Sequence, residues 1–188
     1  MRNITRVAIV IFFNYSSLSA QTLQSAFENQ YKADLICKLA QFIEWPENYS
    51  CWRNSDNANV SVCIFGTDPF EAIFGHNAAC ETSSADRVTV FRDNQLATLK
   101  CCNLLFISRS EDWRLSTVLR AAEKIPMLTV SDIEGFRRRG GMIEFFSKGA
   151  DVKIAINKEA AERQGIRISS KLLQLSDRVN DEVESPNY

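Results

Sequence analysis

Short apolar runs alternate with helical patterns through most of the chain, and few folds accept that order of elements. Four runs are rich in apolar and β-branched residues and read as buried strands: Val60–Phe65, Val88–Phe91, Cys101–Ser108 and Met127–Val130. Candidate helices between or after them begin at Asp68, Ser110 and Ile133. The alternation predicts an α/β fold in which helices cover both faces of a mostly parallel sheet.

Two predicted helices have clear apolar faces. The segment Gln21–Trp45 is expected to form one long helix that ends at Pro46, because the residue before a proline avoids helical dihedrals. Its apolar stripe consists of Phe27, Tyr31, Leu35, Leu39, Phe42 and Ile43. In the helix predicted at Ser110–Ala122, the residues expected to face the core are Trp113, Leu115, Val118 and Leu119.

The last part of the chain adds a hairpin and two helices. Met142–Phe146 and Val152–Ile156 read as strands joined by a short turn, which predicts an antiparallel pair at one edge of a mixed sheet. Helices are predicted at Lys158–Gln164 and Lys171–Val179. We therefore predict a single α/β domain over residues 21–179, followed by a disordered tail at 180–188.

Residues 1–20 have the features of a secretory signal peptide. Arg2 and Arg6 precede the unbroken apolar run Val7–Phe13, and small residues follow. Cleavage is expected after Ser19 or after Ala20. The sequence thus predicts an exported protein, with no later apolar segment long enough to span a membrane.

All six cysteines follow this segment, and export favours disulfides over metal ligation. Cys63 and Cys102 lie in apolar runs that are expected to be neighbouring strands, so we predict that they pair. Cys51 and Cys80 both precede strands and form a second candidate pair. Cys37 lies beside the apolar stripe of the first helix and is expected to be a buried free thiol.

The segment Arg167–Lys171 is the best local candidate for a binding site. Ser169 or Ser170 would cap the last helix, and two cations around a helix N-terminus favour an anion. The alternative is an ordinary capped helix with solvated charges. Glu44 and Trp45 are further candidates at the exit of the first helix, where a surface carboxylate and a partly buried anchor are the alternative interpretation.

Ser131 and Asp132 end a predicted strand at the edge of the sheet where α/β proteins bind ligands. The alternative, which the usual role of these residue types favours, is that they simply cap the helix that follows. The three arginines at 137–139 are expected in the last turn of that helix, where cations complement its negative end, and Gly140 would end it. Phosphate binding by these arginines is the alternative.

Composition and motifs argue against several function classes. The formal net charge of −1 does not favour nucleic-acid binding. His76 is the only histidine, so zinc is not expected, and no cofactor is predicted. The sequence contains none of the GxSxG, HExxH, GxGxxG or phosphate-loop motifs, so we predict a protein that is not an enzyme and has no catalytic residues.

Five segments in order resemble the YfiR-like family of exported bacterial regulators: Tyr31–Pro46, Val62–Phe70, Cys102–Ser108, Met127–Phe145 and Gly165–Ser176. The resemblance implies a periplasmic, homodimeric α/β protein without catalytic activity. Such proteins restrain an inner-membrane diguanylate cyclase by binding its periplasmic domain, which lowers cyclic di-GMP signalling. The family's strand cysteines match Cys63 and Cys102. A second disulfide found in some members is missing, because Arg137 and Glu144 stand at its positions.

These observations combine into one hypothesis, a regulator that responds to a small anionic or aromatic ligand and to redox state. The residues expected to bind the ligand are Glu44, Trp45, Arg167, Ser169, Ser170 and Lys171, with Ser131 and Asp132 as secondary candidates. Arg167 would meet the anionic group and Trp45 would stack on a ring. Two other functions remain open, namely a periplasmic binding module for a sensor kinase or transporter and a small hydrolase.

Overall fold

A seven-stranded sheet forms the centre of the fold, as the alternation of strands and helices predicted. The structure, a computed structural model, describes residues 23–46, 60–75, 79–81, 87–92, 94–149 and 151–183. The predicted signal peptide and Cys51 therefore lie outside the described residues, as do 184–188 of the predicted tail. The strands in chain order are β1 (Ile43–Glu44), β2 (Val60–Phe65), β3 (Ala79–Glu81), β4 (Arg87–Arg92), β5 (Leu104–Ile107), β6 (Leu128–Ser131), β7 (Ile143–Lys148), β8 (Asp151–Ile156) and β9 (Arg167–Ile168).

The large sheet is mixed but mostly parallel, which confirms the predicted architecture. Its strand order is β3-β4-β2-β5-β6-β7-β8, and the five inner strands all run parallel to one another. The predicted hairpin of β7 and β8 forms one antiparallel edge. The other edge is β3, a short antiparallel strand that the sequence did not indicate. The remaining strands, β1 and β9, pair only with each other.

All the helices except the last are shorter than the sequence patterns suggested. They are α1 (23–39), α2 (Glu71–Phe74), α3 (Leu115–Ala122), α4 (Lys158–Arg163) and α5 (Ser170–Val183). Single 3₁₀ turns or short 3₁₀ helices lie at Ala40–Phe42, Leu96–Cys101, Arg109–Arg114 and Arg137–Arg139. The last helix continues past its predicted end at Val179. Within the described part of the chain, no helix is long and apolar enough to cross a membrane.

Side chains that alternate along the strands build a separate core on each face of the sheet. In β2, Val62 and Ile64 belong to one core, while Cys63 and Phe65 belong to the other. The first core is covered by α1, α4 and α5, and the second by α3. Helices therefore cover both faces, as predicted.

The predicted stripe of α1 is only partly correct. Leu39 and Ile43 are buried, but Phe27 is 73% exposed and Tyr31 is 51% exposed. The buried positions of this helix are instead Lys32, Ala33, Ile36 and Leu39. The predicted continuation of the helix to Trp45 is also wrong, because the chain becomes extended at Ile43 to pair with β9.

Trp113 was expected to face the core, but it is 80% exposed. The reason is that Arg109–Arg114 forms a 3₁₀ helix rather than the first turns of α3. A 3₁₀ helix has about 3.0 residues per turn instead of 3.6, so the side chains before Leu115 rotate out of the α-helical register. Leu115, Val118 and Leu119 are buried as predicted.

The predicted disulfide between Cys63 and Cys102 is present and joins β2 to the residue two positions before β5. Both sulfurs belong to the second core. Cys37 is also disulfide-bonded, so the expectation of a free thiol there is wrong. The predicted Cys51–Cys80 pair stays a prediction, since Cys51 lies outside the described residues.

The segment between β6 and β7 is a compact turn rather than a regular helix. It ends in the 3₁₀ turn Arg137–Arg139 and in Gly140, whose φ of +100° gives the left-handed stop that the sequence predicted. Gly141 must also be glycine, because a Cβ there would lie 2.1 Å from the ring of Phe136. We call residues 132–141 the β6–β7 turn.

Candidate functional site

The structure brings together the two segments that the sequence analysis assigned to one ligand site. Glu44 of β1 and Arg167 of β9 are directly opposite each other in an antiparallel pair, and both are exposed. Trp45 follows β1 and is half-buried against the first core. We call this region, with Ser169, Ser170 and Lys171, the β1–β9 site.

Ser169 lies where the β1–β9 site meets the first turn of α5. Its backbone N–H donates to the carbonyl of Phe42 at 2.9 Å, and its own carbonyl accepts from Leu172 and Leu173. Its Oγ is buried and has no hydrogen-bond partner among the residues that the structure describes, so the predicted capping bond is not made by this side chain. A buried hydroxyl without a partner is costly, which makes this oxygen a potential contact for a ligand. Ser170 and Lys171 are exposed in the first turn of α5.

A second candidate region is a cleft of about 400 Å³ beside the carboxyl ends of β5 and β6. Its volume lies within the range of small-molecule sites, and its position is the one where α/β sheets commonly bind ligands. The cleft is lined by Arg109, Asp132, Glu134, Gly135, Arg137, Arg138, Glu144, Phe145, Phe146, Ser147 and Ala155.

Of the two secondary candidates, only Asp132 lines the cleft. Ser131 is fully buried; its Oγ donates to the carbonyl of Ile107 at 2.6 Å and accepts from the N–H of Ile133 at 3.0 Å. These two bonds hold the start of the β6–β7 turn against β5. Ser131 therefore has a structural role in this fold, in line with the capping alternative.

Asp132 belongs to a charge cluster that crosses from α1 to the cleft. Lys32 Nζ lies 2.8 Å from Asp132 and 2.6 Å from Glu28, and the Lys32 side chain is only 4% exposed. Arg109 adds a second cation, with its Nε 3.4 Å from the Asp132 carboxylate and 3.1 Å from the Asp132 carbonyl. A buried lysine is tolerated here because two carboxylates compensate its charge.

The same cluster keeps Glu28 ionised. Burial acts to raise the pKa of Glu28, but hydrogen bonds from Lys32 and Ser147 and the positive charges of Lys32 and Arg109 outweigh it. The pKa of Glu28 is consequently lower than its ordinary value. Since Ser147 Oγ donates to Glu28 at 2.9 Å, this carboxylate also connects α1 to β7.

Glu144 fixes the β6–β7 turn from the floor of the cleft. One carboxylate oxygen accepts the N–H of Gly135 and the other accepts the N–H of Arg137, both at 2.9 Å. The carbonyl of Arg137 also accepts from the Asn157 side chain at 3.1 Å. The backbone N–H and the backbone carbonyl of Arg137 are therefore both hydrogen-bonded. We call the two bonds to the Glu144 carboxylate the Glu144 bridge.

The sequence analysis did not identify Lys32, Arg109 or Glu144 as site residues. Lys32 and Asp132 are 100 positions apart, so no local pattern relates them. A carboxylate at Glu144, within the otherwise apolar run Met142–Phe146, was the one signal in the sequence that could have pointed to the bridge.

The described residues contain no group of three or more side chains that could hold a metal ion. The β1–β9 site and the cleft instead offer guanidinium groups, carboxylates and partly buried aromatic rings. Such groups can bind an organic anion through charge and stacking.

Comparison with known proteins gives a structural neighbour and a family model. No curated protein sequence matches the chain. A crystal structure of a conserved domain protein from Vibrio cholerae O1 biovar El Tor str. N16961 has the same fold, with a TM-score of 0.52 and 10% sequence identity. The match covers 79% of this chain and 58% of the Vibrio chain, so the present chain spans little more than half of that neighbour.

The family model described as YfiR/HmsC-like (DUF4154) matches residues 29–177. This range contains the charge cluster from Lys32 onward, the whole cleft and the β1–β9 site. The chain therefore belongs to the YfiR/HmsC-like family.

Proposed function

We propose that this protein is a periplasmic regulator that inhibits an inner-membrane diguanylate cyclase by binding the cyclase's periplasmic domain. The observation that carries the proposal is the match of the YfiR/HmsC-like family over residues 29–177. The family is known for periplasmic regulators of diguanylate cyclases and is regulatory rather than catalytic. Inhibition of the cyclase would lower cyclic di-GMP signalling and, with it, biofilm formation.

We further propose that a small anionic or aromatic ligand modulates the inhibition from the β1–β9 site. In support, Glu44 and Arg167 are opposite each other, and the buried Ser169 Oγ beside them has no partner. Arg167 would bind the anionic group, with help from the first N–H groups of α5 near Ser170 and Lys171. Trp45 would contribute an aromatic surface.

The first test measures cellular cyclic di-GMP with and without the gene. A clear rise on deletion, reversed by a plasmid copy, supports restraint of a cyclase. No change, with the protein shown to be expressed and exported, would overturn the proposal. Cross-linking followed by purification should recover the cyclase as the membrane partner, whereas a sensor kinase or transporter would favour the binding-module alternative.

The ligand site is tested by Arg167→Ala. Because Arg167 is exposed, this substitution should leave folding unchanged. Removing one partner of a charge-assisted contact should weaken ligand binding by about tenfold or more, measured by calorimetry with a ligand identified from periplasmic extract. Arg163→Ala removes an equally exposed arginine from α4 and should have no effect. Unchanged binding in the Arg167 variant would refute this assignment.

A further inference from the structure

The cleft beside β6 shares no residue with the β1–β9 site, and the two regions are lined by different charged side chains. Two of its carboxylates are already engaged. Asp132 is paired with Lys32 and Arg109, and Glu144 accepts the two N–H groups of the Glu144 bridge. Both carboxylates therefore already accept hydrogen bonds, Asp132 from cations and Glu144 from neutral N–H groups that leave its charge in place.

Two of the guanidinium groups in the cleft are not paired. Within the described residues, neither Arg137 nor Arg138 has an acidic partner, whereas the adjacent Arg139 is paired with Asp112 at 2.5 Å. A role in complementing the end of a 3₁₀ turn does not explain why both arginines line a cavity. Glu134, another acid of the lining, is exposed and makes no ion pair within the described residues. The guanidinium groups of Arg137 and Arg138 can therefore bind an anionic group of a ligand.

Arg137 is also held in place before any ligand binds. Its N–H is fixed by the Glu144 bridge, its carbonyl accepts from Asn157, and its side chain is half-buried. Because the half-buried side chain has less rotational freedom than a fully exposed one, binding an anion costs less conformational entropy at Arg137 than at an exposed surface arginine. A planar guanidinium also matches the geometry of a carboxylate, with which it forms two parallel hydrogen bonds.

The far wall of the cleft is apolar. Phe146 is half-buried in β7, and the small side chain of Ala155 on β8 leaves room beside it, while the ring of Phe145 packs in the first core on the other face of the sheet. This surface suits the hydrocarbon part of a ligand whose charged end lies near the arginines.

We propose that this cleft is a second binding site, specific for a small organic monocarboxylate with an apolar or aromatic body. The carboxylate lies between Arg137 and Arg138, and the body packs against Phe146. The β6–β7 turn is fixed through Glu144, so the occupied site also stiffens the carboxyl edge of the sheet.

The test is a titration of the ¹⁵N-labelled full domain with benzoate, followed by ¹H–¹⁵N NMR. Benzoate should shift the amide signals of Gly135, Arg137, Phe146 and Ser147. Benzamide, which has the same shape without the charge, should bind at least about tenfold more weakly, because it cannot form the charge-assisted bonds. Added salt should weaken the binding of benzoate but not that of benzamide, since ions screen exposed charges.

Three variants locate the site. The double substitution Arg137→Gln and Arg138→Gln should weaken the binding of benzoate by about tenfold or more. Arg120→Gln with Arg163→Gln removes the same net charge from exposed positions elsewhere and should change nothing. Arg167→Gln should also leave benzoate binding intact, which separates this inference from the proposed function.

Four results would overturn the inference: no shift with benzoate up to its solubility limit, equal shifts with benzamide, an equal loss in the Arg120/Arg163 control, or a loss in Arg167→Gln alone. The last result would place the anion at the β1–β9 site and would support the proposed function instead. Because the shifts are mapped on the unmodified protein, the test does not depend on the folding of any variant.

Discussion

Glu144 stabilises the β6–β7 turn by accepting hydrogen bonds from two backbone N–H groups. The resemblance in the sequence implied that some members of the family carry a disulfide at the positions of Arg137 and Glu144. In this chain the two positions are connected instead by a hydrogen bond from a backbone N–H to a carboxylate. The connection here is therefore non-covalent.

Glu144→Ala should lower the free energy of unfolding by about 1–3 kcal/mol, because it leaves the N–H groups of Gly135 and Arg137 without acceptors in a partly buried turn. Glu144→Gln keeps one oxygen acceptor and should cost less. Urea unfolding followed by circular dichroism measures both. Glu159→Ala, an exposed acid in the first turn of α4, is the control, and an equal loss there would contradict the role of the bridge.

The disulfide between Cys63 and Cys102 acts at the scale of elements. It joins β2 to the start of β5, two strands that are already neighbours, and it closes a loop with a sequence separation of 39 residues. Its main effect is expected on the unfolded chain, whose freedom it restricts.

Replacing both cysteines by alanine should therefore lower stability by about 4 kcal/mol, measured by urea unfolding without reductant. Cys63 is only 2% exposed and Cys102 only 1%, so reduction of the wild-type bond should wait for the sheet to open. Thiol trapping with mass spectrometry should show slow reduction that accelerates in moderate urea. Rapid reduction of the folded protein would contradict this prediction and would favour a direct redox response.

Some elements could be predicted from the sequence and others could not, for identifiable physical reasons. The runs at β2, β5 and β6 are mostly apolar and almost entirely buried, which is what strands covered on both faces require. The strands β1 and β9 have two residues each and exist only through their pairing across the fold, so no local pattern announces them. Trp113 was misplaced because the choice between 3₁₀ and α geometry is not visible in an apolar pattern.

The candidate sites likewise include one that could be predicted from the sequence and one that could not. The nearness of Glu44 to Arg167 was expected from the sequence hypothesis and agrees with the register of β1 and β9. The cleft depends on contacts between Lys32, Asp132 and Arg109, which belong to three distant segments. Such contacts follow from the completed topology and could not be derived from spacing.

At the scale of the whole molecule, α1 leaves an apolar surface exposed next to an open sheet edge. Leu23, Phe27 and Tyr31 are exposed large side chains, and Phe27 and Tyr31 line a groove with Asp151, Val152 and Lys153 of β8. β8 is the last strand in the order of the sheet. An exposed apolar patch beside a strand edge is a common feature of protein interfaces.

We expect this surface to form the interface of the proposed homodimer. Phe27→Asp places a charge in the patch and should shift the protein from dimer toward monomer, measured by light scattering after size exclusion. Trp113→Asp is the matched control, because Trp113 is equally exposed but precedes α3 on the other face of the sheet. Dissociation by the Trp113 variant alone would place the interface there, and a monomeric wild-type protein would refute the dimer.

The pairing of β1 with β9 also affects the order in which parts of the chain can fold. Ile43 and Glu44 find their partners only at Ile168 and Arg167, near the other end of the folded region. Contacts this distant in sequence slow folding, because a long loop must close before they contribute. A polypeptide emerging from a ribosome or a translocation pore cannot form β1 until nearly the whole domain is available. The β1–β9 pair thus delays completion of the fold, which would keep the chain incompletely folded while it crosses a membrane.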